Sequence, residues 1–526
     1  MHQGRLQRTW TNGLNWITAR THRSVVLVGL AALTISASLS QLGFMPQPWV
    51  HDEFSYLLAA DTFAHGRLTN PTHPMWVHFE ALHILQQPTY ASKYPPGQGL
   101  MLALGQVLTG YPIVGVWLSV ALACAAICWM LQAWLPPRWA LLGGLIAALH
   151  PLVLQWSQNY WGGAVAMGGG ALLLGAVRRL AAQPRVHDGI IMGLGVAILA
   201  NSRPYEGAVL SFLVSVALLL PVCLVLVPMA GATAYYNFKV TGNALRMPHQ
   251  VYEETYAAAP TFFWLNARPI PTYHHQSIRD TQVGWALNVY LLQRSPSGFV
   301  SSTFEKLQIY GASYFPSWGL IMPLIMLPWM LKRDRWTRLA LLIVALFLIA
   351  LLVETWWHAH YAAPITALMF AIALQAMRYL YEWRLVGRLL VGASLMLCLV
   401  AFVMQWQLLA RTDPQGTSWR SQRARIISSL NSTGEKHLIL VRYKPGQSVH
   451  LDWVHNGADI DGSPVVWARE MDAAQNRKLL EYFHDRKVWL LIGLDPLPWT
   501  LFPYGGGVHD AQEPTAVPTG VPAADH

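Results

Sequence analysis

Two short stretches hold most of the residues able to do chemistry in a chain that is otherwise poor in charge. The first, "PWVHDEFSYLLAADTFAHGRL" at 48–68, sets His51, Asp52 and Glu53 side by side just after an apolar run. The second, "SKYPPGQGL" at 92–100, sets Lys93 beside Tyr94 and two prolines. A carboxylate can take a proton from an attacking hydroxyl or amine. A fixed cation can hold the charge of a departing phosphate. A phosphate is already a weakly basic leaving group, so one carboxylate and one cation suit transfer from it. Glycoside hydrolysis, by contrast, divides acid and base roles between two carboxylates.

Each of these residues also has a plainer reading. Asp52 precedes Phe54, Leu57, Leu58 and Phe63 at helical spacing, with Gly66 as a stop, and on local grounds reads as an N-cap. That reading leaves Glu53 without a task. Lys93 suits an interfacial lysine reaching for headgroups, on a segment that Pro95 and Pro96 keep extended. Arg203 and Glu206 in "NSRPYEG" read as an ion pair capping a helix, or as donor contacts. His360 and Tyr361 in "HAHYAAP" follow Trp356 and Trp357, where an aromatic belt and a polar site are equally served. His249 and Glu253 in "PHQVYEETY" would share a helix face, which makes them the candidates for a divalent metal, although a third fixed ligand is missing.

The elements that must position these groups are membrane helices. The 526 residues are 54% hydrophobic and 12% charged, about half the charge of an ordinary soluble domain. Apolar runs near 24–44, 112–134, 138–156, 161–181, 188–203, 206–220, 222–237, 313–331, 336–354, 361–378 and 389–410 predict about eleven spans, with Pro221 turning the chain between two of them. Every second connection is basic: Arg5, Arg8, Arg20 and Arg23; Arg138; Arg178, Arg179 and Arg185; Lys332, Arg333, Arg335 and Arg338; Arg378, Arg384 and Arg388. The net charge of +10 therefore follows loop alternation and does not imply nucleic acid. Positive loops stay cytoplasmic, so a basic N-terminus at 1–23 lies inside and the first run reads as an uncleaved anchor. The four cysteines all lie in apolar runs and imply no disulfide framework.

Three regions then face outward: loops 45–111 and 238–312, and everything after the transmembrane part at 24–410. In the last of these, "HLILVRY", "SPVVWARE" and "KVWLLIG" read as strands and "MDAAQNRKLLEYFHDR" as a helix. They predict a small α/β domain over 411–500, followed by a disordered Gly/Pro-rich tail at 501–526.

"HDEFSYLLAADTFAHGRL", "KYPPGQGLMLALGQVLTG" and "HAHYAAP" together resemble GT-C superfamily glycosyltransferases that use polyprenyl-phosphate sugars, among them bacterial relatives of protein O-mannosyltransferases and of the lipid A aminoarabinose transferase. The resemblance covers about residues 24–400; residues 412–490 resemble a tail of bacterial members without a known role. It implies an all-α polytopic fold in a bacterial inner membrane, with the reaction on the periplasmic face and surface helices in the first outer loop. It implies Asp52 as base, Glu53 as a supporting or metal-orienting acid, and Lys93, His360 and Arg203 as donor-phosphate contacts, with Tyr94, Glu206 and Tyr361 nearby. Several relatives carry a second acidic residue just before the fourth span; "QWSQNYWGG" here has Gln158 and Asn159 instead, which leaves a metal requirement open. The implied partners are a polyprenyl-phosphate sugar and a glycan, lipid or protein acceptor. A transporter is the main alternative, but it would put ionisable groups near the bilayer midplane, where these runs carry almost none. A ligase of a whole lipid-linked glycan is the nearer one. A scaffold built on the C-terminal domain would leave the spans and the Lys93 segment unexplained.

Overall fold

Prolines decide where the apolar runs become unbroken helices. In the computed structural model, which describes residues 13, 15–42, 45–214, 219–413, 417–444, 448, 450–492 and 500–505, seven helices are long and apolar enough to cross a bilayer: Thr21–Leu42, Pro112–Leu131, Gly163–Leu180, Pro221–Thr241, Arg335–Leu352, Ala359–Tyr381 and Arg384–Ala410. An eighth candidate, Pro296–Tyr314 with Trp318–Arg333, is bent by 92°. The other expected spans are shorter or interrupted. Run 138–156 divides into Pro137–Leu149 and Pro151–Trp156 because Pro151 has no N–H to continue the ladder. Run 188–203 is the helix Val186–Ala200, and run 206–220 yields Pro204–Leu213. Fewer unbroken spans are thus found among the described residues than the eleven expected. Pro221 lies within the helix Leu219–Thr241; residues 215–218 before that helix, like most of 1–14, lie outside the described residues. The chain is a polytopic membrane protein.

Outside the bundle, the loop after the first span folds into two helices, His51–Ala64 and Pro96–Thr109, joined through a two-stranded ribbon of β1 (Ile84–Leu85) and β2 (Ala91–Ser92). Close backbone approaches lock this layer onto the bundle. Gly97 donates its N–H to the Asn201 carbonyl at 2.7 Å. A Cβ on Gly97 would stand 2.6 Å from that oxygen, so only glycine fits. Deeper, a Cβ on Gly170 would lie 1.9 Å from the Pro364 carbonyl oxygen, which lets Gly163–Leu180 press on the segment carrying His360.

The C-terminal region is a four-stranded sheet ordered β4-β3-β5-β6: β3 His437–Arg442, β4 Val465–Arg469, β5 Lys487–Ile492 and β6 Thr500–Pro503. The β3–β4 and β3–β5 pairs are parallel and β5–β6 is antiparallel. Because side chains alternate along a strand, the sheet has two apolar faces. Leu438, Leu440, Val466, Ala468 and Leu490 share one core with Leu58, Phe79, Ala81, Ile84 and Tyr90 of the first outer loop. Ile439, Val441, Trp467 and Leu491 pack instead with Leu430, Trp453 and Val454. The fourth strand carries the α/β unit past residue 500, so the expected tail does not begin at 501; residues 506–526 lie outside the described residues.

Candidate active site

Asp52 sits in the first turn of His51–Ala64 but does not cap it; the N-cap is Val50. The capping is done by Glu53. One carboxylate oxygen of Glu53 accepts the N–H of Trp49 at 2.8 Å and of Val50 at 3.4 Å. The other accepts the N–H of Tyr160 at 2.9 Å. Glu53 is fully buried, and burial pushes its carboxyl up to about 7 even with three donors on it. Its oxygens are committed to backbone, which makes it a positioning group. Asp52 is thereby left to face the rest of the site.

Asp52 meets three partners there. The Tyr94 hydroxyl donates to Oδ1, and His83 Nε2 stands 3.7 Å from Oδ2. The Lys93 Nζ lies 5.1 Å above the Tyr94 ring and 4.7 Å above that of Tyr252. Burial pushes the Asp52 carboxyl up, but His83, Tyr94, Lys93 and His358 outweigh it and hold it below the ordinary carboxylate range. Burial and Lys93 in turn hold His83 far below its ordinary value. For Lys93, burial brings the ammonium down to about 8 against the raising pull of Asp52 and Glu253.

A second group of polar side chains adjoins the first. The Arg203 guanidinium lies 4.7 Å above the Tyr361 ring and 3.6 Å from Glu206, so the ion pair expected from sequence is present. His360 is buried, stacked on His358 at 5.3 Å between ring centroids and 4.8 Å from Trp161. Tyr56 joins the groups: it stacks on Tyr94 at 4.5 Å and feels the charges of both Arg203 and Asp52. Glu53 contributes here as well, because the Tyr160 N–H that it holds precedes Trp161, the ring against the two histidines. The arrangement brings Asp52, Lys93, Tyr94, Arg203, Glu206, His360 and Tyr361 into one neighbourhood.

His249 and Glu253 are arranged otherwise than a metal site requires. His249 Nε2 is 2.8 Å from Glu253 Oε1. Glu253 also accepts from Thr261 Oγ1 at 2.7 Å and Arg268 Nη2 at 2.6 Å. Burial pushes the Glu253 carboxyl up, yet these partners hold it below the ordinary range. The pair is a closed ion network with no third carboxylate or imidazole ligand among the described residues. Gln158 donates to the Ser36 carbonyl at 3.0 Å and accepts from Ser40 Oγ at 2.7 Å, so it serves the first span.

Two site histidines escaped the sequence reading, as did Tyr56 and Tyr252. His83 is a non-glycine residue at φ 66°, a left-handed conformation that is costly and here aims the imidazole at Asp52. No local spacing signals it. His358 lies in the same "HAHYAAP" stretch as His360 and was within reach of the same reading.

The fold of this bundle and its outer loop is found among solved structures. Among solved structures, that of ArnT from Cupriavidus metallidurans in the apo state is similar at a TM-score of 0.53 and 14% identity, over 90% of this chain and 93% of that one. The Archaeoglobus fulgidus oligosaccharyltransferase tethered to an acceptor peptide with an NVT sequon aligns at 0.47 and 12% identity, over 89% of this chain and 68% of that one. The archaeal oligosaccharyltransferase AglB from Archaeoglobus fulgidus, in complex with an inhibitory peptide and a dolichol-phosphate, aligns at 0.45 and 12%, over 90% and 69%. No family model and no curated protein matches the sequence.

Proposed function

We propose that this chain is an inverting membrane glycosyltransferase, moving a sugar from a polyprenyl-phosphate donor to a glycan, lipid or protein acceptor on the periplasmic face of a bacterial inner membrane. The observation that carries the reading is the double use of Tyr94: its hydroxyl serves Asp52 and its ring lies under Lys93. A proton acceptor and a phosphate-binding cation are thereby held on one rigid aromatic side chain.

In the reaction, a lone pair of the acceptor attacks the anomeric carbon as the bond from that carbon to the phosphate oxygen breaks. The bonding pair leaves with the polyprenyl phosphate, which Lys93 receives with Arg203 and His360 beyond it. The acceptor's proton goes to Asp52. Its low basicity is adequate, because the attacking oxygen or nitrogen becomes strongly acidic as its new bond forms. Attack from the face opposite the phosphate inverts the anomeric centre. Glu53 and Glu206 position these groups.

The test is mass spectrometry of membrane lipids and surface glycans from cells with and without the chain. Accumulation of one polyprenyl-phosphate sugar and loss of that sugar from one acceptor support the reading. Unchanged lipid-phosphate sugars, or accumulation of a whole lipid-linked oligosaccharide, count against it.

A further inference from the structure

We propose that His51, Asp452 and His455 form a zinc-type metal site that fastens the C-terminal domain to the start of the helix carrying Asp52. One ligand atom from each of the three lies within 4.8 Å of the others, and all three side chains are buried. His51 comes from the first outer loop and the other two come from the segment between β3 and β4, so an ion here would bridge parts of the chain 400 residues apart.

The independent observation is His455. Its side chain is buried, yet neither Nδ1 nor Nε2 has a hydrogen-bond partner among the described residues. A buried polar atom left unpaired costs about 1–3 kcal/mol, and such atoms in native proteins call for an explanation. The ring is held by stacking: it lies 4.0 Å from Phe54 at an interplanar angle of 3°. Packing thus fixes the imidazole plane while both nitrogens stay available for a ligand.

The donor set selects the metal class. Two imidazoles and one carboxylate suit zinc or a similar transition ion, whereas magnesium and calcium prefer oxygen. Ligand atoms of a tetrahedral zinc at about 2.0–2.1 Å stand roughly 3.3 Å apart, so the three groups close in slightly on binding. His450, with its ring 6.3 Å from that of His51, comes from the same segment as Asp452 and His455 and is a candidate for a fourth ligand. The outer partners are also in place. Arg469 Nη2 donates to Asp452 Oδ2 at 2.7 Å and the Tyr443 hydroxyl to Oδ1, while Arg423 Nη2 donates to the His455 carbonyl at 2.7 Å. Two guanidinium groups so close disfavour a cation held by charge alone and leave directed nitrogen bonds as its main attachment. Neither the His249–Glu253 pair nor the transfer chemistry takes part, so this inference stands apart from the proposed function.

The experiment uses the untagged full-length protein in detergent, exposed to zinc, passed into metal-free buffer and assayed for bound zinc by mass spectrometry. Wild type is expected to keep about one zinc per chain, and His455→Phe, which preserves a ring against Phe54, to keep less than about a fifth of that. His249→Ala is expected to keep the wild-type amount. A wild type that keeps none, or a His455→Phe that keeps as much as wild type, overturns the site. Cobalt titration of the wild type is a second reading that needs no variant: the absorption of tetrahedral cobalt is expected, and its absence at saturating cobalt overturns the site equally.

Discussion

The hydroxyl of Tyr94 donates to the carboxylate of Asp52, 42 residues earlier in the chain, and so ties the two surface helices of the first outer loop at their facing N-terminal ends. Asp52→Asn retains an acceptor for that hydroxyl and the burial of the side chain, but cannot take a proton. Transfer is expected to fall by at least about a hundredfold, with melting temperature and membrane insertion unchanged. Wild-type rates in this variant would falsify the base assignment. Tyr94→Phe keeps the ring under Lys93 and loses only the donor, so a drop on the order of tenfold is expected in the same assay.

Lys93 should write its own acidity into the pH profile. Burial lowers its ammonium to about 8, so in the free protein the charge proposed to receive the phosphate is present below that pH and is lost as pH rises through it. The ratio kcat/KM is expected to decline above about pH 8, because that ratio reports free-enzyme groups. Lys93→Arg should move the decline to higher pH, since a guanidinium stays charged. An identical alkaline limb in both proteins would show that another group titrates.

Glu53 should behave as a stability residue. Replacing it by Ala leaves the N–H groups of Trp49, Val50 and Tyr160 without their acceptor, a loss of about 1–3 kcal/mol for each that stays buried. A lower melting temperature is expected, along with weaker transfer because Trp161 loses its anchor. Since the folded-state carboxyl is raised, its protonated form is favoured by folding. That contribution is full below the unfolded value near 4.5 and declines as pH rises through about 7. Melting temperatures of wild type and Glu53→Gln across pH 5–8 measure it: the wild type should lose more as pH rises.

Gly97→Ala places a methyl group 2.6 Å from the Asn201 carbonyl oxygen. The Lys93–Tyr94 segment should then shift away from Arg203, raising KM for the donor more than it lowers kcat. Steady-state kinetics with varied donor separate the two, and an unchanged KM removes the idea that this contact sets the donor site.

The bundle was legible in the sequence because lipid demands long apolar runs. Their continuity was less so, since Pro151 breaks one run and Trp318–Arg333 folds back at 92°. Asp52, Lys93 and Tyr94 were singled out by the resemblance their two stretches carry, since local pattern alone reads Asp52 as an N-cap and Lys93 as an interfacial lysine. The roles of Asp52 and Glu53 were harder to separate, because a local pattern gives the cap to the first acidic residue while the backbone gives it to the second. His83 was invisible: its part comes from a left-handed backbone at the end of a ribbon, and no period marks that. The core shared by the outer loop and the sheet depends on contacts hundreds of residues apart.

That shared core has a consequence for biosynthesis. Leu58, Phe79, Ala81, Ile84 and Tyr90 leave the ribosome early, but the surface that covers them is made only when β3, β4 and β5 appear near the end. Until then the loop bearing Asp52 lacks a wall, so a chain halted after its last membrane helix would leave these five side chains uncovered.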